Sequence, residues 1–333
     1  MATRVTLLIN PFASSVTARS RILIQRRLSD HFDLSVIETT KRGHAIRLAY
    51  RAGRDGTDVV IGLGGDGTIN EVANGLLGME TAAAPLPGGS TNVFARALGF
   101  PNDPVAATEV LIEAIEQRSR VSAGVGVANG RAFLFHVGFG FDAAVVERVE
   151  ARGTIKRYAG HPLFVAATID TWLRRVDRRT PWFDILDADG VNLGSYHLAI
   201  ALNCNPYTYL GSRPLELAPE ADLGRALSVV GLRSLSLRHM VGAVGQAFGR
   251  GGEAEPDGEP LGGIGNSVTT AHFCDLPALT VVGHRPFPFQ MDGESCGWVD
   301  RLEIEHRPDA LSVVVPADRP SCSTNRAGRP HQA

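Results

Sequence analysis

Cysteine is scarce in this chain, and none of the four cysteines, Cys204, Cys274, Cys296 and Cys322, falls in a C-x-x-C pair. The sequence therefore indicates neither a zinc site nor a disulfide framework. No apolar stretch approaches the ~20 residues that cross a bilayer. The opening segment MATRVTLLINPF lacks the apolar core of a secretory signal. Net charge is only −2, so no global field draws the chain to nucleic acid or to an acidic surface. Together these absences predict a cytoplasmic protein with no nucleic-acid partner. No internal repeat is visible.

What is present is ample apolar content, 44% of 333 residues, which suits two domains better than one. The first third alternates. VTLLIN, DLSVIETT, DVVIGLG and APLPGG read as strands. The segments 16–32, GHAIRLAYRAG (ending at Gly53 as a helix-terminal glycine), TINEVANGLLG, TNVFARALG and DPVAATEVLIEAIEQ read as helices. In the first of these the spacing of Ile22, Leu23, Arg26, Arg27 and Leu28 is helical. Strict alternation predicts an α/β domain over residues 1–122 with a parallel sheet. After about Arg120 the pattern becomes short and β-rich: SAGVGVANGRAFLFHVGFGFD, YHLAIALN, LSVVGLR, ALTVVG, FPFQMDGE and RLEIEHR. This predicts an antiparallel β-sandwich over 123–308. Helical stretches interrupt it near 163–175 and 237–248, and a Gly/Pro-rich loop follows the second. ALSVVVPA is a last strand, and residues 309–318 are free to rejoin the first domain. Residues 319–333 read as a disordered tail.

Chemistry concentrates in the loops. Gly64, Gly65, Asp66, Gly67, Thr68, Ile69, Asn70 and Glu71 follow an apolar strand and open a helix. Glycines let several N–H groups turn toward one anion, and the helix start adds positive potential. Thr68 suits a cap or a phosphate bond, and Asp66 suits Mg²⁺, since a bare carboxylate would repel phosphates. A second loop, Leu86 to Arg96, repeats the arrangement with Gly89, Ser90 and Thr91 near a helix start. Two such loops at neighbouring strand ends make one cleft. Asn10-Pro11 after the first strand is equally well an ordinary turn. Asp292-Gly293-Glu294 by itself reads as a β-turn, as does the second copy, Asp257-Gly258-Glu259. Only the later copy follows a strand, FPFQM, able to hold a carboxylate rigidly.

In this order, GGDGTINEVANG, LPGGSTNVFARALG and a late Asp-Gly-Glu resemble the diacylglycerol kinase catalytic-domain family, which includes bacterial soluble lipid kinases and, more distantly, sphingosine and ceramide kinases. The resemblance runs from Asn10 to about Pro316. It extends to Thr39 before Gly43-His44-Ala45, GFGFDAAVV, Lys156-Arg157, Asn203 and Ala218-Pro219. It implies an α/β nucleotide domain related to NAD kinase and phosphofructokinase, a β-sandwich, and an active site between them. It implies ATP and Mg²⁺ as cofactors. Asn10, Thr39, Gly65 through Glu71 and Ser90 would line the ATP site, Asp66 would organise Mg²⁺, and Glu294 would be the base for a lipid hydroxyl. The substrate implied is a lipid with a free hydroxyl, diacylglycerol foremost, with sphingoid or monoacylglycerol lipids as alternatives. An enzyme without a membrane span would meet it by peripheral contact. A homodimer through an exposed sheet edge is a further expectation.

Two positions depart from the family. Val93 and Ser122 stand where many members carry acids of the Mg²⁺ network. The run from Ala221 to Leu227 places Gly224 or Arg225 at the acidic position of a structural Mg²⁺ site found in some relatives. That metal is therefore expected to be absent or moved to Asp222. The departures motivate a non-catalytic nucleotide- or lipid-binding protein as a competing reading. NAD kinase is another, through the shared GGDGT. Phe133, Phe135, Phe139 and Phe141 alternate, so a common strand face is expected, as core or as pocket lining. Lys156-Arg157, Arg174-Arg175 and Arg178-Arg179 flank an apolar stretch and suit either anionic headgroups or solvent.

Overall fold

The computed structural model describes residues 2–150, 180–235 and 270–318. Its first strands are short apolar runs. β1 (Arg4–Ile9) buries every residue after Arg4, and β3 (Val59–Gly64) and β4 (Ala82–Pro87) are buried throughout. Continuous burial requires cover on both faces, which parallel strands obtain from crossover helices. With β2 (Asp33–Glu38) they pair in parallel in the order β4-β3-β1-β2. β2 lies at the edge and is mostly exposed.

The crossover helices are α1 (Ala18–His31), α2 (His44–Arg54), α3 (Asp66–Leu76), the short α4 (Val93–Ala97) and α5 (Pro104–Glu116). α1 starts at Thr17, which exchanges side-chain and backbone bonds with Ser20, and α5 starts at Asp103, which caps Val105 and Ala106. The spacing read as helical is a helix, α1; its buried face is Ile24 and Leu28, while Ile22 is 68% exposed. Gly53 does not end α2. The helix runs on to Arg54, and Gly56 takes the left-handed conformation at φ 78°. A Cβ at Gly53 would stand 3.2 Å from Leu76, so the residue serves close packing of α2 on α3 instead.

The remaining strands form an antiparallel array: β5 (Arg120–Ala128), β6 (Arg131–Phe133), β7 (His136–Gly140), β8 (Phe183–Asp187), β9 (Asn192–Tyr196), β10 (Leu198–Leu202), β13 (Leu227–Leu232), β14 (Thr270–Leu276), β15 (Ala278–Met291) and β16 (Glu294–Val314), with α6 (Phe141–Glu150) after β7 and a separate hairpin of β11 (Thr208–Leu210) and β12 (Arg213–Leu215). β15 bends. Leu279–Gly283 pair with β8, and Phe289–Met291 pair with β7, so the sheet branches there. The branches enclose a core of Phe133, Phe139, Phe183, Phe287 and their neighbours. Phe183 contacts both Phe139 and Phe287, with ring centroids 5.1 and 5.3 Å apart. Such tilted aromatic pairs each add roughly 1 kcal/mol beyond area burial.

The four alternating phenylalanines do not share one face. Phe133 and Phe139 enter this core, whereas Phe135 joins the core of the first half, because β6 ends at Phe133 and the chain turns before β7. RLEIEHR and ALSVVVPA are likewise one strand. β16 runs 21 residues, shifts register between Arg307 and Leu311, and places Val313 beside Ala83 of β4. One strand is therefore shared by both halves. The helical stretches 163–175 and 237–248, the basic pairs, the Asp257-Gly258-Glu259 copy and the tail lie outside the described residues.

Candidate active site

Three loops leave the carboxyl ends of β1, β3 and β4 side by side. Asn10 N–H donates to Leu63 O (3.0 Å), Gly88 N–H to Gly64 O (2.8 Å), and Ser15 N–H to Gly88 O (2.8 Å). The two glycine loops touch through their main chains. A Cβ at Gly89 would stand 2.7 Å from Gly65 Cα, and one at Gly88 would stand 2.9 Å from Gly64 Cα. Neither gap admits a methyl group, so the sequence uses glycine on both sides. The result is a strip of closely packed main chain beside the amino end of α3, where a phosphate is favoured.

The side chains of these loops hold the strip in shape. Asn10 Nδ2 donates to Thr68 Oγ1 at 3.1 Å, and Thr39 is buried with its hydroxyl on Ile9 O. Asn92 sits at φ 52°, accepts from Gly89 N–H (2.8 Å) and donates back to Gly89 O (3.0 Å). Asparagine tolerates that left-handed conformation better than most residues. Ser90 is exposed and Thr91 half-buried at the rim. Glu71, grouped by sequence with the nucleotide site, accepts from Gly43 N–H (2.7 Å) and Ala45 N–H (3.0 Å). Its carboxylate caps α2.

Asp66 ties the two loops together. Its carboxylate accepts from Val93 N–H and Phe94 N–H, each at 3.0 Å, and so caps α4. Burial pushes its pKa up, and the two amides oppose that shift. Val93, where relatives carry an acid, presents its N–H to Asp66 while its side chain is buried in the first core. Ser122 is exposed on β5, opposite Ser312.

The β15–β16 turn brings the second half of the chain to this strip. Glu294 opens β16. Its Oε2 accepts from Arg42 (2.6 Å) and Arg131 (3.1 Å), and its Oε1 stands 2.7 Å from where a Cβ on Gly67 would lie. Asp292, at φ 48°, is buried and accepts from Leu134, Phe135 and His136 N–H and from Asn70 Nδ2 (2.8 Å). Burial raises its pKa to about 6 against these four donors. Asn70 also donates to Ala132 O and accepts from Arg131, so α3 is hydrogen-bonded to β6 and to the turn. Sequence reasoning named Asn70 and Glu294 but missed Arg42, Arg131 and Asp292 as their partners. Arg42 sits between Thr39 and Gly43, inside a segment already singled out, which was the one available signal.

A second polar group lies behind the turn. Asp142 accepts from Tyr207 Oη (2.7 Å) and Gln290 Nε2 (2.8 Å), and His136 stacks near Tyr207 with centroids 4.5 Å apart. Burial lowers the His136 pKa to about 3 and raises that of Asp142. Asp222 is not part of the cleft: its carboxylate accepts from Gly224 N–H (3.0 Å) within its own turn.

Residues 4–123 match the model of the diacylglycerol kinase catalytic domain. Across nearly the whole chain, a Pseudomonas fluorescens protein named "Probable lipid kinase YegS-like" is 28% identical, over 96% of this chain and 98% of its own. A Staphylococcus aureus diacylglycerol kinase is 38% identical over 107 residues, 31% of this chain and 32% of its own. A solved diacylglycerol kinase structure from Bacillus anthracis str. Sterne has the same fold, with a TM-score of 0.66 at 20% identity, covering 94% of this chain and 97% of that one. Among the described residues no helix is long and apolar enough to cross a membrane.

Proposed function

We propose, on the match of residues 4–123 to the diacylglycerol kinase catalytic domain, that this chain transfers the γ-phosphoryl group of ATP to a lipid hydroxyl, with diacylglycerol as acceptor and phosphatidic acid as product. The observation that carries this reading is the position of Glu294. A carboxylate from the second half of the chain stands over Gly67 of the first glycine loop, held there by Arg42 and Arg131. Residues 1–122, with 309–318, then serve as the nucleotide domain, and 123–308 as the substrate domain.

Phosphoryl transfer asks mainly for positioning and charge neutralisation. The Gly64-Gly65 and Gly88-Gly89 loops lie in main-chain contact too close for a Cβ, beside the amino end of α3, a place that suits the phosphates of ATP. Thr68, Asn10 and Ser90 border it. Each oxygen of Asp66 keeps a lone pair beyond its amide bond, so Asp66 would hold Mg²⁺ together with phosphate and water oxygens, and the ion would supply charge neutralisation. Glu294 takes the proton as the lipid oxygen attacks. Arg42 and Arg131 fix one of its oxygens and leave the other facing the loop. Contact with the membrane is peripheral in this scheme.

The test uses γ-labelled ATP, Mg²⁺ and mixed micelles of diacylglycerol, monoacylglycerol or a sphingoid base. Label should appear in phosphatidic acid. Glu294→Gln should lower kcat about 10²- to 10⁴-fold with ATP affinity nearly unchanged. Label in a different lipid would reassign the acceptor. ATP binding with no labelled lipid would end the catalytic reading and leave a nucleotide-binding protein.

A further inference from the structure

Away from the cleft, three unlike donors converge where the loop after Ala218-Pro219 meets strand β14. His272 and Cys274 are two residues apart on β14 and so project from the same face. Glu220 meets them from the loop. His272 Nε2 is 2.6 Å from Glu220 Oε1, Cys274 Sγ is 3.5 Å from the same oxygen, and Cys274 Sγ is 3.8 Å from His272 Nε2. All three ligand atoms lie within 4.8 Å of one another. We propose that Glu220, His272 and Cys274 bind a zinc-class divalent metal ion.

The distances support this. Zinc bonds of about 2.3 Å to sulfur and about 2.0 Å to nitrogen and oxygen, set tetrahedrally, place the donors about 3.3–3.6 Å apart. The two sulfur edges are already near that spacing. The nitrogen–oxygen pair, now a hydrogen bond, must open by about 0.7 Å to admit the ion. One nitrogen, one sulfur and one oxygen donor select zinc or cobalt over magnesium, which takes oxygen ligands. Without an ion, burial and then Glu220 push the Cys274 thiol pKa upward. Metal binding therefore releases the thiol proton to solvent and leaves a metal-bound thiolate.

The neighbours also fit a dication. Ser228 donates to Glu220, which fixes the carboxylate. Arg225 is paired with Asp275, its Nε donating at 3.0 Å, so this guanidinium is already neutralised. Glu220, Asp275 and a Cys274 thiolate against Arg225 leave a net charge of about −2 for the ion to balance. The structural consequence follows from the loop's other bonds. Leu223 O accepts from Gly124 N–H of β5 at 2.7 Å, and Leu223 packs in the first core. A metal here would staple the outermost strand of the β-array to a loop anchored at the junction of the two halves.

The full-length chain, stripped with a chelator, is titrated with Co²⁺ alone. One equivalent should give a thiolate-to-cobalt charge-transfer band that Zn²⁺ abolishes. Cys274→Ser should remove the band. Cys296→Ser and Cys322→Ser should keep it. Glu220→Gln, which preserves the shape of the loop, should weaken cobalt binding at least tenfold. Zn²⁺ should raise the Tm of the wild type but not of His272→Ala. Absence of the band in the wild type, its survival in Cys274→Ser, or equal stabilisation of every variant by Zn²⁺ would overturn the proposal. None of these outcomes depends on kinase activity.

Discussion

Replacing Asp66 with Ala is expected to loosen the cleft as well as to stop catalysis. The carboxylate accepts from Val93 and Phe94 N–H at 3.0 Å each, and these two bonds help join the first loop to α4. A hydrogen bond to a charged acceptor contributes roughly 1.5–3 kcal/mol when its partner is left unsatisfied. Water reaches the rim of this half-buried residue, so the pair together is expected to be worth about 2–4 kcal/mol. With a urea slope of about 3 kcal/mol/M, Asp66→Ala should lower the unfolding midpoint by about 1 M. Asp66→Asn keeps one acceptor and turns an amide against the other N–H, so it should lose about half as much. ATP affinity measured without Mg²⁺ should fall in both variants, because the loops drift apart. Urea unfolding followed by circular dichroism, with calorimetric ATP titrations in EDTA, makes the measurement. If Asp66→Ala unfolds at the wild-type midpoint and binds metal-free ATP normally, the tethering role is wrong and Asp66 acts through the metal alone.

Gly89→Ala should drive a methyl group to within 2.7 Å of Gly65 Cα, main chain that has nowhere to move. A loss of about 1–3 kcal/mol in stability and at least tenfold in ATP affinity is expected, read by thermal melting and calorimetry, and a wild-type affinity would refute this phosphate site. Acid should destabilise the protein through His136. Its folded pKa is depressed to about 3 from 6.5, so it stabilises the fold above 6.5 and that contribution is lost as pH falls toward 3, by as much as about 5 kcal/mol. Asp292 opposes this, since its folded pKa is raised to about 6, and its ionised form costs stability that is regained as pH falls from 6 through its ordinary 3.8. Urea midpoints of wild type and His136→Phe between pH 7 and 4 isolate the histidine: the variant should lose less stability over that range, and parallel curves would refute the assignment.

Much of the first half was determined by sequence because its information is local. Buried parallel strands are continuous apolar runs, and VTLLIN and VVIGLG show them. Glycines in pairs after β3 and β4 mark main chain that must come close to something, even before the partner is known. Gly53 misled for the same reason, since a glycine near a helix end signals a cap and a close contact alike. The second half was legible as β-rich, but not the continuity of β16, whose register shift between Arg307 and Leu311 breaks the alternation in mid-strand.

Side-chain partners were decided in three dimensions. Glu294 lies 227 positions beyond Gly67, and nothing in Asp-Gly-Glu distinguishes a β-turn from a carboxylate poised over a phosphate loop. Glu71 and Asp66 look equally like site residues in the octet, yet Glu71 caps α2 and Asp66 caps α4, because helix rotation sends side chains five positions apart to different neighbours. Glu220, His272 and Cys274 follow no ligand spacing along the chain, and only the folding of β14 against the 218–225 loop brings them together. The sequence determined which segments form strands, helices and glycine loops, since those depend on residues a few positions apart. Which carboxylate meets which amide, guanidinium or thiol is fixed by long-range packing, and that was decided by the tertiary structure alone.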